Sequence, residues 1–162
     1  MDYVEFSTYV SQCAPFVHPR TMYSVVAKES SFNPYAIAIV GKARLERQPR
    51  NYGEAVATAK ALVDRGIVFS AGLSQVNYTN FKAYGLTIEN AFQVCPNLAA
   101  GGQILAKCFE RASSGQRNEQ VALQAALSCY FSNNFVTGFK AGYVQRIVSH
   151  AYQQRVKDGL TR

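Results

Sequence analysis

A chain of 162 residues, 48% of them hydrophobic, is long enough to close one core and too short to suggest two. Ten tyrosines and ten phenylalanines against 11 glycines and 5 prolines exclude a disordered or low-complexity polymer, and a charged residue or asparagine interrupts every apolar run before the ~18 residues of a membrane span. A net charge of +7, from 17 basic and 10 acidic residues, favours an anionic partner without choosing among nucleic acid, anionic lipid and acidic wall polymer.

Apolar spacing of three and four dominates, so the expected fold is mainly α, with a small β-element. A first helix is predicted over Val4 to Cys13, and a second after His18-Pro19, where proline suits the first helical turn. The segment Ile37–Val40, Leu45–Gln48 and Ile67–Phe69 supplies the only candidate strands. An alanine-rich helix is expected from Tyr52 to Arg65, stopping at Gly66, and another from about Gln75 to Tyr84, stopping at Gly85. A short helix follows Thr87 as N-cap. Pro96 opens a longer one carrying Leu98, Leu105 and Phe109, and after the Ser113-Ser114-Gly115 turn comes a helix with Leu123, Leu127 and Tyr130 on one face. The last helix carries Tyr143, Ile147 and Ala151. No repeat or linker divides the chain, which reads as a single domain over residues 1–162.

Met22, Val25, Val26 and Glu29 stand at i, i+3, i+4 and i+7, so the carboxylate continues the apolar stripe of its own helix and faces inward. Desolvation disfavours its ionised form. The negative helix end acts in the same direction, since Asn33-Pro34 obliges the helix to stop just beyond. A carboxyl protonated near neutral pH is what a general acid requires. From the pattern alone a second reading stands open: a glutamate at a helix end that reaches water or pairs with Lys28 or an arginine.

Four cysteines, Cys13, Cys95, Cys108 and Cys129, contain no C-x-x-C pair, and only His18 and His150 could join them, so neither a metal site nor a cofactor is expected. Two disulfides in an oxidising compartment and four reduced core thiols are equally compatible with the spacing. The cluster Lys42, Arg44, Arg47 and Arg50 lacks interleaved aromatics, which argues against nucleic acid. Gly41-Lys42-Ala43 lacks the upstream glycine and the hydroxyl residue of a phosphate loop. The two histidines read as surface residues.

Glu29-Ser30-Ser31-Phe32-Asn33-Pro34-Tyr35-Ala36 resembles the E-S-x-F-x-P-x-A signature of lysozyme-like lytic transglycosylases. Further matches follow in that family's order: Gly72-Leu73-Ser74-Gln75-Val76-Asn77 for G-L-M-Q-x-x, Asn97 to Leu105 for N-L-x-x-G-x-x-x-L, Ala125 to Asn133 for A-A-Y-N-A-G, and Tyr143-Val144 for the closing Y-V. The form with an insertion after the first motif and Ser-Cys-Tyr in the fourth is similar to the peptidoglycan-cleaving components of type IV secretion and conjugation machines. Ser74 departs from methionine, Phe131 from asparagine and Asn133 from glycine.

The resemblance implies an α+β lysozyme-like fold with an insertion near residues 39–70, and an enzyme in which Glu29 serves as sole acid and base. It would cleave the N-acetylmuramic acid–N-acetylglucosamine β-1,4 bond without water, leaving a 1,6-anhydro end. Ser30 would orient Glu29, and Ser30, Ser74, Gln75, Asn77, Tyr130 and Tyr143 are the substrate-side candidates. Partners would be peptidoglycan strands and secretion subunits, and the place of action the periplasm, although Met1-Asp2-Tyr3 does not open a signal peptide. A hydrolytic muramidase and a catalytically idle wall-binding scaffold are the alternatives. An envelope location favours oxidised cysteines. If the helices after Pro96 and Gly115 form an antiparallel hairpin, Cys95 and Cys129 share an end, which gives the pairing Cys95–Cys129 with Cys13–Cys108. The insertion is expected to form an outlying lobe whose basic cluster grips wall polymer or a partner.

Overall fold

The computed structural model describes residues 1–115 and 118–160. In chain order the elements are α1 (Tyr3–Cys13), α2 (Pro19–Ser30), β1 (Ile37–Ile39), α3 (Tyr52–Asp64), β2 (Phe69–Ala71), β3 (Val76–Asn77), α4 (Val94–Ser113), α5 (Glu119–Ser132), α6 (Thr137–Lys140) and α7 (Tyr143–Lys157), with single 3-10 turns between β3 and α4. The mainly helical architecture with a small β-element is what the residue spacing predicts, and that element is a three-stranded antiparallel sheet.

Side chains fix most helix starts. Asp2, His18, Asn51 and Asn118 each accept a hydrogen bond from a backbone N–H of the first turn, which satisfies donors left without a helical partner. The helix predicted over Gln75 to Tyr84 does not form. Gln75 adopts a left-handed φ of 50°, Val76–Asn77 joins the sheet, and Asn77 then caps a 3-10 turn. Sheet pairing overrides local spacing there. Gly85, at φ 72°, does end that segment as expected.

The sheet has the order β1-β2-β3, with Ile37 opposite Ala71 opposite Val76, and Ala38 opposite Ser70 opposite Asn77. Alternation sends the first row into the core and leaves the second facing out. Leu45–Gln48 is not a strand. Gln48 instead accepts from the N–H of Ile37 and donates to its carbonyl, both at 2.9 Å, so one side-chain amide takes the place of a neighbouring strand on the edge of β1.

Two hydrophobic clusters result. One gathers α1, α2, α4, α5 and α7 around Phe6, Met22, Val26, Leu98, Leu127 and Ile147. The other packs Ala55, Ala59 and Leu62 of α3 against Ile37, Phe69, Val76, Phe81 and Ala100. The insertion is therefore not an outlying lobe. Its helix shares a buried cluster with the sheet and with Ala100 of α4, to which α3 contributes Ala55, Ala59 and Leu62.

The bridges are Cys13–Cys95 and Cys108–Cys129, with Cα separations of 5.2 and 5.7 Å. This corrects the pairing drawn from the hairpin. Helix α4 has 20 residues and α5 has 14, so the first turns of α4 project beyond the end of α5 and meet the end of α1 instead. Cys95 and Cys108, 13 residues apart on α4, are about 20 Å apart along the helix and cannot exchange partners.

Candidate active site

Helix α2 ends at Ser30 because Ser31 and Phe32 are both left-handed, at φ 51° and 62°. Asn33-Pro34 lies just past the stop and does not itself make it. A bulky residue rarely adopts such a φ. Here the Phe32 ring is held by edge packing on Phe6 at 5.7 Å and by a tilted contact with Tyr23 at 4.8 Å. The two left-handed residues turn the chain sharply into β1 and leave Glu29, in the last turn of α2, at the floor of a cleft between the helical core and the sheet. All four non-glycine residues of positive φ among those described, Ser31, Phe32, Gln75 and Asn133, lie within a few positions of residues lining this cleft. Strain is concentrated where the site is built.

The cleft has a volume of about 230 Å³ and is lined by Glu29, Ala38, Ser70, Gln75, Val76, Asn77, Asn80, Ile104, Tyr130 and Phe131. Glu29 is the one carboxylate in that lining. Burial raises its pKa to about 7, against a weaker opposing effect of the hydrogen bond that the Tyr143 hydroxyl donates to Oε1 at 2.7 Å. The same burial, with the nearby carboxylate, holds the Tyr143 and Tyr130 phenols well above their ordinary range, so both remain hydrogen-bond donors at any working pH.

The remaining candidates separate into three roles. Gln75 and Asn77 line the cleft. The Gln75 amide donates to the carbonyls of Ala36 and Gly72, both at 3.0 Å, which points its Oε1 elsewhere; Asn77 uses its Oδ1 on Thr79 and keeps its Nδ2. Tyr130 also lines the cleft, its hydroxyl donating to the Ser74 carbonyl.

Three candidates act behind the surface, and their sequence-based roles are corrected. Tyr143 is 5% exposed and touches Glu29 rather than the cleft. Ser30 donates to the carbonyls of Leu73 at 2.7 Å and Val26 at 3.2 Å, so it ties α2 to the 72–75 loop and does not orient Glu29 directly. Ser74 is fully buried, and its side chain cannot reach a ligand. A Cβ on Gly101 would fall 2.4 Å from Ser74 Cβ, so glycine at 101 is what lets the loop lie directly on α4.

Asn97, the first residue of the N-L-x-x-G-x-x-x-L match but not among the candidate site residues, organises that loop. It is fully buried, accepts from the Ser74 N–H at 2.7 Å and donates to the carbonyls of Ala71 and Ala91 at 3.0 and 2.8 Å. Gly72, at φ 80°, makes room for it: a Cβ would stand 2.2 Å from Asn97 Nδ2. The available signal was an asparagine opening an apolar helix stripe, a polar group that must be paired when buried. Asn80 was also missed.

Neither histidine joins the cleft. His18 caps α2, and His150 pairs its Nδ1 with Ser24 Oγ at 2.9 Å. Among the described residues no group of three or more His, Cys, Asp or Glu could hold a metal ion, and none of their helices is long and apolar enough to cross a membrane.

Comparison with known proteins returns the same class of protein as the motifs. The model of the transglycosylase SLT domain matches residues 9–132. The chain is 47% identical over 156 residues to the type IV secretion system protein virB1 of Brucella abortus, covering 91% of this chain and 64% of that one. It is 30% identical over 155 residues to protein virB1 of Agrobacterium fabrum, covering 94% and 62%. The chain thus spans slightly less than two thirds of the length of these curated relatives. No solved structure gave a significant match. With the buried glutamate and the glutamine loop inside the matched region, and Tyr143 just beyond it on α7, the chain belongs to the transglycosylase SLT domain family.

Proposed function

We propose that the chain cleaves the β-1,4 bond between N-acetylmuramic acid and N-acetylglucosamine in peptidoglycan without water, leaving a 1,6-anhydro end. In this reading it works as one unit in the periplasm, opening the wall for a type IV secretion or conjugation apparatus, as the names of its relatives suggest. The observation that carries the reading is a single carboxylate, near half-protonation at neutral pH, at the floor of a cleft otherwise lined by uncharged side chains.

A glycosidase of the usual kind needs two carboxyl groups about 5 to 9.5 Å apart across the scissile bond. The lining supplies one. Glu54 is engaged by Arg47 at 2.8 Å on the insertion, and Glu89 lies 3.5 Å from Lys60, both away from the cleft. One group can suffice if it acts twice. Protonated Glu29 gives its proton to the glycosidic oxygen as the bond to C1 of the muramic acid breaks, the neighbouring N-acetyl oxygen supporting the cation. The resulting carboxylate then takes the proton of the same sugar's C6 hydroxyl, whose oxygen closes on C1. The proton lent in the first step is regained in the second, and no water enters.

A pKa near 7 suits both halves, since neither form of the acid is scarce. The Tyr143 hydroxyl favours the carboxylate and so tempers the effect of burial. Gln75 and Asn77 would hold the N-acetyl and hydroxyl groups of the sugars. Mass spectrometry of peptidoglycan digested by the purified protein tests the reading. Muropeptides lighter by one water than their reducing-end counterparts are expected; reducing-end products would replace it with hydrolysis, and an undigested wall with a binding role.

A further inference from the structure

We propose that Phe131 is a sugar-stacking platform that sets how tightly the cleft holds the saccharide beside Glu29, an inference that rests on the carbohydrate-cleaving reading above. Phe131 sits in the last turn of α5, directly after Tyr130, and stays 44% exposed. Its ring lies on that of Tyr143, with centroids 4.7 Å apart and planes 23° from parallel, and its remaining surface lines the cleft with Glu29. Because Tyr143 is itself buried and fixed to Glu29, Phe131 is held in place before any ligand arrives, and little side-chain freedom remains to be lost on binding.

The chemistry of the two walls names the ligand class. A pyranose carries hydroxyl and amide groups around its rim and C–H groups on its faces. The cleft divides in the same way. Gln75, Asn77 and Asn80 present amides from the sheet side, with the side chain of Asn80 making no hydrogen bond among the described residues, and Phe131 presents an aromatic surface from the helical side. A lipid tail or an apolar peptide would need apolar groups on both walls. An extended polyanion would need basic ones, and the lining holds no lysine or arginine.

The competing role for Phe131 is to shield the Tyr143–Glu29 hydrogen bond from water, which would alter the titration of Glu29 rather than binding. The test therefore uses two readouts. In a Glu29→Gln background, β-1,4-linked oligomers of N-acetylglucosamine are titrated by calorimetry into proteins carrying Phe131, Phe131→Ala, Phe131→Leu or Phe131→Trp, each checked by thermal melting. With Glu29 present, the same variants are assayed on peptidoglycan across pH. Alanine and leucine are each expected to weaken oligomer binding about tenfold and to raise KM similarly, whereas tryptophan keeps affinity and the pH profile does not move. Leucine binding as well as phenylalanine, or a displaced pH profile with binding unchanged, would overturn the platform and leave the proposed function standing. Oligomers that fail to bind even with Phe131 in place, together with an undigested wall, would remove both.

Discussion

The two sides of the cleft are built by different means. The helical side, which carries Glu29 and Tyr143, is cross-linked twice through α4 and packed around fully buried aromatic and aliphatic side chains. The sheet side has a hydrophobic cluster of its own but strands of only two or three residues and no disulfide, and single side chains bonded to backbone tie it together: Gln48 on β1, Gln75 on the 72–75 loop, and Asn97 reaching across from α4. Proton transfer tolerates little displacement, so its groups stand on the cross-linked side. Recognition of a long, amphipathic polymer needs a row of hydrogen-bonding groups, and short strands supply one.

The largest expected break falls on the helical side. Glu29→Gln keeps size and the acceptor for Tyr143 but removes the proton that moves in both steps, so activity should fall by about 10² to 10⁴ or more while the fold remains. Its stability has a sign. Since the folded-state pKa lies above the ordinary 4.5, ionising Glu29 weakens the fold progressively as pH rises from 4.5 to 7, fully above that and not at all below it. The glutamine variant should therefore melt higher than the parent at pH 8, by about 1 to 3 kcal/mol of stability, and the advantage should vanish at pH 4. Equal melting points at both pH values would place Glu29 in water.

Cross-links against single hydrogen bonds give the next contrast. Replacing Cys108 and Cys129 together by serine should lower stability by about 3 kcal/mol for a closed loop of this length. Gln48→Ala, which removes the bonds on the β1 edge, should cost about 1 kcal/mol. Urea titrations of the two variants compare the sides directly. A larger loss from Gln48→Ala would reverse the assignment of rigidity.

Smaller effects sharpen the picture. Tyr143→Phe removes a hydrogen bond that favours the Glu29 carboxylate, so the Glu29 pKa should rise further and the alkaline limb of the pH–activity profile should move to higher pH. Ser74→Ala removes a buried hydroxyl without a hydrogen-bond partner among the described residues and should leave activity unchanged with equal or slightly higher stability. Charge reversal at Arg44, Arg47 and Arg50 should weaken binding to intact wall more than cleavage of short glycans. Equal loss on both would mean that the insertion acts through the cleft, which Ser70, at the insertion's C-terminal end in β2, helps to line.

Much of this protein was legible in its residues. The stripe ending in Glu29 determines that an acid points inward, because helical periodicity is local and burial raises a carboxyl pKa wherever the partner surface comes from. Pro19 located the start of α2 for the same reason, since its fixed φ is a local property. Gln75 and Asn77 could be nominated from a motif because one short stretch, the 72–75 loop and the strand β3 that follows it, carries both.

What depended on distance along the chain was decided only by the fold. Disulfide pairing turned on the unequal lengths of α4 and α5. The place of the insertion turned on a shared core between α3, the sheet and α4. The division of Ser30, Ser74, Tyr130 and Tyr143 into cleft, loop anchor and support for Glu29 turned on which carbonyl or carboxylate each hydroxyl meets, or on its meeting none, and those partners lie up to 114 residues away. Periodicity fixes the face a side chain takes, but only packing fixes what that face meets.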